Sequence, residues 1–583
     1  MNAFKSLFRT VEYIWIESCE MECMVDTIGG NHTATFGTLV QPYLKETSCL
    51  RTICEGPNQY VIFSNLTFLN VDKCTRLISL FSRSLAQSLK KLKEPICLSK
   101  LETLEVKNCG KLEYIFPISV VRGLQRLERL KLRDLPRLKK VFGQNREGEV
   151  GDCEIESHHQ TTCFPKLKTI ELVNCGNLEY IFPISIARDL PQLESLELED
   201  LPQLKQVFGH EEGGDDGDGN NSVLSKLRNL RLWNLPELVS FGGGNSSSVW
   251  PSLPLERLEV LNCPKVKLAD VEANVPALQK LQNLQILSVD DWNATSFDLM
   301  QGLSNLEQLK IRNCGGIQEV IKLEGLLTIR GEQQVLLLPR LKIMFLMDLH
   351  QLRCIWKGPT KLINLNNLEY LIVEECKKLT HLFTPALAQS LQKLKFLEIE
   401  RCDELEHIIV ENVEEQVSSE NHLQPLCFPK LKSVYVTCCN KLKYLFPMTI
   451  ADSLSELKIL MVIENSQLKE VFNHEGDAGV QKDVTLPQLE LMGLKGLPSL
   501  VNFCPKNYQF ILPKWRELRV ESCKNRRTTF TRTPDRSVLI NGEVAQIDEP
   551  TGTSTISPVL TICPANNDIT WRTDVKDNPT GDY

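Results

Sequence analysis

Two polar segments of the chain carry residue types that bind metal ions. Cys153, His158, His159 and Cys163 lie in one insertion, and two thiolates with two imidazoles form a donor set that zinc prefers. Their spacing matches no common zinc finger or zinc ribbon. The sequence therefore favours a solvated loop here, with a zinc site as the alternative.

The second segment is the acidic run HEEGGDDGDGNN, where Asp216, Asp218 and Asn220 alternate as they would in a calcium-binding loop. Such a loop ends on a bidentate glutamate, but this chain has Leu227 there, and the run interrupts a repeat instead of joining two helices. We interpret residues 209–221 as a flexible loop. Its carboxylates could meet a basic patch on a partner protein. They come from Glu211, Glu212, Asp215, Asp216 and Asp218.

Sequence motifs of enzymes are missing. The chain contains no G-x-x-x-x-G-K-[ST] phosphate loop, which would hold a nucleoside triphosphate, and no G-x-S-x-G, H-E-x-x-H or kinase signature. We therefore predict a protein that is not an enzyme, has no catalytic or metal-binding residues, and uses no cofactor.

The dominant feature of the sequence is a repeat of the form L-x-x-L-x-L-x-x-C-x-x-L-x-x-I-F. One copy contains Leu101, Leu104, Val106, Cys109 and Phe116. The period is roughly 26 residues and is stretched at intervals to roughly 35–40, which lies in and just above the leucine-rich-repeat range. We count about eighteen rungs, with first positions at 11, 39, 66, 101, 127, 167, 193, 227, 255, 284, 306, 341, 368, 394, 431, 457, 489 and 515.

The L-x-L alternation in each rung has a period of two, which predicts a short strand with one buried face. Leu104 and Val106 should point inward, and Thr103, Glu105 and Lys107 should point outward. One rung cannot bury its apolar stripe alone, so stability must come from stacking neighbouring rungs in parallel, about 4.8 Å apart. The stack should form a single concave sheet.

A second recurring phrase predicts short amphipathic helices on the convex side, because a proline at a first turn precedes apolar residues at helical spacing. It occurs as PISVVRGLQRL at Pro117, PISIARDLPQL at Pro183, TPALAQSLQKL at Thr384 and PMTIADSLSEL at Pro447. The predicted fold is an α/β leucine-rich-repeat solenoid, a curved horseshoe, over residues 1–525. Residues 526–583 should form a divergent C-terminal cap or tail, partly disordered.

Cysteine usage argues against a disulfide framework. The chain has 21 cysteines, an odd number, and they recur at repeat spacing. Cysteine is small, easily buried and a weak hydrogen-bond donor, so it suits the crowded turn that follows each strand. Ten occupy the same rung position: Cys19, Cys74, Cys109, Cys175, Cys263, Cys314, Cys376, Cys402, Cys439 and Cys523.

Composition limits the partners of the 583-residue chain. A net charge of −8 and a pI near 5.8 argue against binding to nucleic acid. No apolar run approaches the length of a membrane span, and the N-terminal segment lacks the layout of a signal peptide. We therefore expect a cytoplasmic protein, with access to the nucleus possible.

The repeat phrases, taken together, resemble the C-terminal region of a known family. NCGKLEYIFP, DLPRLKKVFG at Asp134, CFPKLKTIEL and IWKGP at Ile355 look like the leucine-rich repeats of plant coiled-coil nucleotide-binding disease-resistance proteins. The resemblance covers about residues 4–525. It implies a sensor of pathogen effectors or guarded host proteins, although the coiled coil, phosphate loop and switch motifs of that family have no counterpart here.

Three functions are consistent with these patterns. The first is a protein-recognition module of plant innate immunity that binds an effector, a guarded host protein or a nucleotide-binding signalling partner. The second is a leucine-rich substrate adaptor of a ubiquitin ligase, which would need an F-box-like segment before the first rung. The third is the non-functional product of a truncated resistance gene.

A recognition surface is expected at the outward strand positions, because aromatic and arginine side chains anchor protein interfaces. Trp233 is the strongest candidate, since an aromatic ring in an outward position gains little from the core. The predicted protein-binding residues are Lys131, Arg133, Glu171, Glu197, Glu199, Arg231, Trp233, Phe345, Tyr370, Phe396, Glu398 and Tyr435.

Overall fold

The structure is a computed structural model, and its contacts divide the chain into two compact units. Unit 1 comprises Met1–Gln351 and Trp356–Leu365, and unit 2 comprises Leu352–Ile355 and Asn366–Tyr583. The residues that the structure describes are 11–26, 34–35, 38–55, 61–63, 65–80, 98–117, 124–143, 164–183, 190–209, 224–239, 253–266, 283–290, 303–322, 338–357, 365–410, 427–474, 482–541 and 560–561.

The repeat strands of unit 1 pair in parallel from one rung to the next, in sequence order. Leu104 lies opposite Leu130, and Leu130 lies opposite Ile170, so equivalent residues of successive rungs share one row. In the described residues these strands are Tyr13–Glu17, Gln41–Lys45, Phe68–Asp72, Thr103–Lys107, Arg129–Arg133, Thr169–Val173, Ser195–Glu199, Asn229–Trp233, Arg257–Leu261, Ile286–Asp290, Gln308–Arg312 and Ile343–Met347.

A second set of short strands, most of them at the positions of the I-F phrases of unit 1, pairs two rungs at a time, also in parallel. The pairs are Cys23–Asp26 with Thr52–Glu55, Ala34–Thr35 with Val61–Ile62, Tyr114–Pro117 with Lys140–Gly143, and Phe182–Pro183 with Phe208–Gly209. Glu319–Lys322 is a further short strand of this unit, and the strand Cys354–Lys357 contains residues of both units. This second set was not predicted from the sequence.

Unit 2 repeats the same plan. Its repeat strands are Tyr370–Glu374, Phe396–Glu400, Ser433–Thr437, Ile459–Ile463, Leu491–Lys495 and Glu517–Glu521, paired in parallel. Its short parallel pairs are His381–Phe383 with His407–Ile409, and Tyr444–Pro447 with Glu470–Asn473.

The described part of the C-terminal segment adds antiparallel pairing to unit 2. The strand Val538–Asn541 lies between Tyr508–Leu512 and Thr529–Arg532, antiparallel to both, and Lys482–Thr485 pairs in parallel with Tyr508–Leu512. The strand Leu560–Thr561 pairs antiparallel with Glu517–Glu521. Residues beyond the last repeat therefore continue its sheets.

The leucine-rich-repeat fold class predicted from the sequence is confirmed. All eighteen predicted rung positions are followed two residues later by the start of a repeat strand. The inward residues are buried as expected: Leu104, Val106 and Leu132 are each 0% exposed. Burial of such a side chain stabilises the folded state by about 1.5–3 kcal/mol relative to leaving it in water.

The helix prediction is confirmed where the structure describes the phrase at Thr384. Pro385–Ser390 forms an α-helix, and the Thr384 hydroxyl accepts a hydrogen bond from the Leu387 backbone N–H at 3.5 Å. The phrase at Pro447 instead forms a 3-10 helix, Met448–Ser453. Of the phrases at Pro117 and Pro183, residues 118–123 and 184–189 lie outside the described residues. No helix of the described residues is long and apolar enough to cross a bilayer.

The residue directly after each repeat strand turns the chain, and in most rungs it adopts a left-handed backbone conformation. The φ angles of Asn174 and Asn234 are each 53°. Asparagine and aspartate tolerate this region better than most residues do. The side-chain amide of Asn174 also donates to Asp134 Oδ1 at 2.8 Å, and that of Asn234 donates to Asp200 Oδ1 at 2.5 Å. These hydrogen bonds tie successive turns together.

The cysteine position follows this turn and is structural, as predicted. Cys109 and Cys175 are 0% exposed, and each thiol donates to the backbone carbonyl two residues earlier, at 3.3 Å and 3.6 Å. All described cysteines are free thiols. Burial raises the pKa of Cys175 to about 12, so its thiol is protonated at neutral pH.

Candidate protein-binding surface

The alternation of the repeat strands places three side chains of each strand on the outward face of the sheet, at the first, third and fifth positions. All twelve predicted binding residues occupy such positions. In unit 1 they lie on the strands Arg129–Arg133, Thr169–Val173, Ser195–Glu199, Asn229–Trp233 and Ile343–Met347. In unit 2 they lie on Tyr370–Glu374, Phe396–Glu400 and Ser433–Thr437.

Lys131, Arg133 and Glu171 form one ion-pair cluster across two neighbouring strands of unit 1. Arg133 donates to Glu171 Oε1 from Nε at 2.7 Å and also from a terminal nitrogen, and Lys131 Nζ lies 3.0 Å from Oε2. Burial tends to raise the pKa of the Glu171 carboxyl, but the hydrogen bonds from Arg133 and Lys131 outweigh it and hold the pKa below its usual value.

This cluster shows that Glu171 is not a solvent-exposed member of the predicted surface. It is in the predicted outward position, but it is only 6% exposed because Lys131 and Arg133 cover it. The cationic ends of Lys131 and Arg133 remain partly exposed. A partner on this face would therefore meet the two cations before the carboxylate.

Arg231 and Trp233 form the second cluster of unit 1. The Arg231 guanidinium carbon lies 4.7 Å from the centroid of the Trp233 ring, which is cation–π distance. Arg231 Nε also lies 3.6 Å from Glu259 Oε2 on the next strand. Trp233 is 38% exposed despite its size. The predicted residues Glu197 and Glu199 sit directly opposite Arg231 and Trp233 in the parallel register, so these four residues lie together.

Phe345 stands apart from those two clusters. Its ring lies 5.2 Å from Lys310 Nζ on the preceding repeat strand. Three repeat strands, Arg257–Leu261, Ile286–Asp290 and Gln308–Arg312, lie between its strand and that of Arg231 in the parallel register. The structure therefore does not bring Phe345 together with the other predicted residues of unit 1.

The four predicted residues of unit 2 lie together. The ring centroids of Tyr370 and Phe396 are 6.2 Å apart, and those of Phe396 and Tyr435 are 5.5 Å apart. Tyr370 is 38% exposed. Glu398 lies opposite Tyr435, and the pKa of Tyr435 is raised by burial and by the Glu398 charge. The result is an aromatic row with a carboxylate beside it.

An aromatic row on the first rungs of unit 1 was not among the predicted residues. Trp15 stacks on Tyr43 with ring centroids 5.2 Å apart, and Tyr43 lies 5.3 Å from Phe68. Trp15 is 61% exposed, and Tyr13 on the same strand is 64% exposed. The signal was present in the sequence YIWIE, where aromatic residues occupy the outward positions of the strand.

The described residues contain no group of three or more side chains that could hold a metal ion. The cluster of Cys153, His158, His159 and Cys163 lies outside the described residues, and so do residues 210–221 of the acidic loop. The zinc alternative and the proposed contact of the loop with a basic patch therefore stay predictions.

A family model for leucine-rich repeats of the plant disease resistance protein RPS2-like type matches most of the chain. The matches cover residues 4–96, 93–136, 125–202, 153–269, 254–403 and 404–538. The chain belongs to this family. The resemblance noted from the repeat phrases is thereby confirmed, and leucine-rich repeats of this kind are typically recognition modules without catalytic function.

A curated relative of this RPS2-like protein is a probable disease resistance protein of Arabidopsis thaliana, At4g27220. It is 30% identical over 139 residues, which is 23% of this chain and 15% of the relative. The match therefore spans about a seventh of that relative's length.

Solved structures that align with the RPS2-like chain share only low identity and low TM-scores. An internalin of Listeria monocytogenes covers 70% of this chain and 88% of its own length at 14% identity and a TM-score of 0.31. The plant peptide hormone receptor RGFR1, solved in complex with RGF2, covers 86% of this chain and 87% of its own length at 13% identity and a TM-score of 0.26.

Proposed function

We propose that this chain is a protein-recognition module of plant innate immunity. It binds a pathogen effector, a guarded host protein or a nucleotide-binding signalling partner through the outward face of its repeat strands. The observation that carries the proposal is the exposed Arg231–Trp233 stack, in a chain that belongs to a disease-resistance family. Arginine and tryptophan are the residue types that most often dominate the free energy of binding at protein interfaces.

The position of Trp233 supports binding over a structural role. The interior of its strand is filled by Leu230 and Leu232, which are each 0% exposed. The Arg231 guanidinium carbon lies 4.7 Å from the centroid of the Trp233 ring on the same face of the strand, a contact that restricts the orientation of the ring before a partner arrives. A side chain that is already ordered loses less conformational entropy on binding.

The proposal includes a cellular compartment and the absence of catalytic activity. Recognition takes place inside the plant cell, in the cytoplasm or after entry to the nucleus. We further propose that residues 1–583 have no catalytic activity and use no cofactor, and that the defence response requires a nucleotide-binding module. The sequence supports this requirement, because it contains no phosphate loop.

The experiment is co-expression in leaf tissue of the tagged chain with a matched nucleotide-binding module and a candidate effector. Association is measured by co-purification, and the defence response by cell death. We expect Arg231→Ala/Trp233→Ala to lose association and response while its melting temperature stays unchanged. The matched control is Ile78→Ala/Val239→Ala, which removes two exposed apolar side chains of unit 1, 48% and 56% exposed, outside the repeat strands.

Two results would count against this function. The first is full association of the Arg231→Ala/Trp233→Ala variant together with loss in the control variant, which would place the interface off the sheet. The second is a normal cell-death response when the whole chain is omitted, which would remove its role in defence.

A further inference from the structure

The repeat strand Ile459–Ile463 of unit 2 has apolar side chains on both of its faces. Its two inward residues fill the interior, and the three outward positions hold Ile459, Met461 and Ile463, of which Met461 is 9% exposed and the two isoleucines are half-buried. A strand with one solvated face alternates apolar and polar residues, whereas a continuous apolar run such as ILMVI is typical of a sheet that is covered on both faces. The core of unit 2 accounts for the two inward residues, and Met461 is largely covered, so the half-buried Ile459 and Ile463 are the apolar side chains of this strand that remain at the surface.

The neighbouring strands extend the apolar surface. Met461 lies between Tyr435 and Gly493 in the middle outward row, and Ile459 lies opposite Leu491 in the first row. Gly493 has no side chain, so the row is interrupted next to Met461. The ring centroids of Phe396 and Tyr435 are 5.5 Å apart, so Phe396 extends the same surface. We name it the Met461 patch and define it as Phe396, Tyr435, Ile459, Met461, Ile463 and Leu491.

A row of lysines borders the Met461 patch. Lys395, Lys432 and Lys458 immediately precede the first outward positions of three consecutive repeat strands. Their backbones are adjacent, since Lys432 N donates to Lys395 O and Lys458 N donates to Lys432 O, both at 2.8 Å. Lys395 pairs with Glu369 at 2.7 Å. Lys432 and Lys458 are exposed, and neither forms a salt bridge with a residue that the structure describes.

Three stacked like charges repel one another, so this row destabilises the chain unless an anion is near. Glu490 occupies the equivalent position of the next rung, where its backbone N–H donates to Lys458 O at 2.9 Å, but its carboxylate lies 3.3 Å from Arg516 Nε. The carboxylate of Glu456, two residues before Lys458, is held by Lys430 at 2.5 Å. The hydrogen bond from Lys430, and with it the charges of Lys432 and Lys458, lowers the pKa of Glu456. The row therefore keeps an excess of positive charge.

The opposite ends of these and the adjoining strands carry charges of both signs, and Lys495 lies opposite Ile463. Glu374 and Glu400 share Arg401, whose guanidinium nitrogen lies 3.8 Å and 3.0 Å from them, and Glu464 follows the strand Ile459–Ile463. A ligand on the Met461 patch thus meets the row of lysines at one side and charges of both signs at the other. This asymmetry selects one orientation of a charged ligand over its reverse.

We propose that the Met461 patch binds an acidic protein segment that presents aliphatic or aromatic side chains next to a row of carboxylates. The apolar side chains cover Met461 and its neighbours, and the carboxylates pair with Lys395, Lys432 and Lys458. The inference rests on the proposed recognition function and adds to it the chemistry of the partner. A compact apolar centre with a charged rim is the usual arrangement of a protein interface.

The test uses short random peptides displayed on phage and selected against the full chain. We expect the selected peptides to be enriched in leucine or phenylalanine together with aspartate or glutamate. One selected peptide is then synthesised and titrated against three double variants. These are Ile459→Thr/Ile463→Thr, which keeps β-branched residues in the strand, Lys432→Glu/Lys458→Glu, and the control Lys377→Glu/Lys469→Glu, which reverses two exposed lysines outside the repeat strands.

We expect the first two variants each to weaken binding about tenfold or more at low salt, and the control to bind as the wild type does. The wild-type affinity should fall as salt rises, and the fall should be smaller in Lys432→Glu/Lys458→Glu. Thermal melts that match the wild type confirm that the variants are folded. Enrichment of basic peptides, or equal binding by all variants, would overturn the proposal.

The outcome separates this proposal from the recognition function. If an effector still depends on Arg231 and Trp233 but not on the Met461 patch, the patch proposal fails and recognition stands. If the patch binds acidic apolar peptides but the chain has no effect on the defence response, the recognition function fails and the binding site stands.

Discussion

Asn465 takes, in its repeat, the interior position that cysteine holds in the preceding repeat. Its Oδ1 accepts a hydrogen bond from the Cys439 backbone N–H at 2.7 Å. Its amide nitrogen lies 3.0 Å from the carbonyl oxygens of both Val436 and Ile463. Asn465 is 0% exposed, so none of these groups can bond to water instead.

Truncation of this side chain should therefore destabilise the repeat stack. Asn465→Ala leaves a buried N–H and buried carbonyls without their partner, which costs about 1–3 kcal/mol of unfolding free energy. Asn465→Cys should recover part of that loss, because the thiol of Cys439 donates to the Thr437 carbonyl two residues earlier at 3.5 Å. Urea unfolding of the three proteins measures the order. An alanine variant as stable as the wild type would show that the hydrogen bonds have no net effect.

A charge placed inside the sheet should be much more damaging than one removed from its face. Leu172 is 0% exposed, and Leu172→Asp would bury a carboxylate without a partner, at a cost of several kcal/mol. Glu171→Gln, on the neighbouring outward position, removes one charge from a pairing with Lys131 and Arg133 and should cost less. Thermal melts that rank the two variants in the reverse order would contradict the strand register.

The Glu171 cluster also predicts a pH dependence of stability. The pKa of Glu171 is lower in the folded chain than in the unfolded chain, so the unfolded chain takes up the proton first as pH falls. The stabilising effect is complete above the unfolded pKa, roughly 4.3, and is lost as pH falls through the lower folded pKa. Chemical unfolding across this range should show a steeper loss for the wild type than for Glu171→Gln. Parallel curves of unfolding free energy against pH for the two proteins would mean that ionised Glu171 does not stabilise the folded chain.

The buried thiols should resist alkylation in the folded chain. Burial raises the pKa of Cys175 to about 12, and only the thiolate reacts. At pH 8, iodoacetamide should label Cys175 more than about 100-fold more slowly in buffer than in denaturing urea. Mass spectrometry of the labelled peptides gives both rates. Rapid labelling in buffer would mean that this repeat opens readily or that the thiol is not in the interior.

The sequence predicts the repeat strands well because their signal is local and is repeated many times. Leu104 and Val106 define a period of two within one rung, and the cysteine position three residues later marks the turn. The short strands at the I-F phrases were missed because apolar residues such as Phe116 and Phe182 are as typical of a loop that fills the core as of a strand. Their pairing in the structure, such as that of Tyr114–Pro117 with Lys140–Gly143, reveals the second set of strands.

The binding surface was predicted less completely, because outward positions carry no repeated pattern. Glu171 occupies its predicted position, yet its burial depends on Lys131 and Arg133 from another rung, about 40 residues away in the sequence. The Met461 patch was missed for a similar reason. Ile459 and Ile463 look like core residues in an apolar run, and the lysines beside them are far apart in the sequence.

Hydroxyl-radical footprinting of the chain with and without a bound effector or signalling partner tests the central claim most directly, because the outward face carries side chains that react readily. Binding should reduce the modification of Trp233, or of Tyr370, Phe396 and Tyr435, while Tyr508, which lies on another sheet of unit 2, keeps its rate. That result would place recognition on the outward face of the repeat strands. Protection of Tyr508 with unchanged modification of all the outward residues would contradict it.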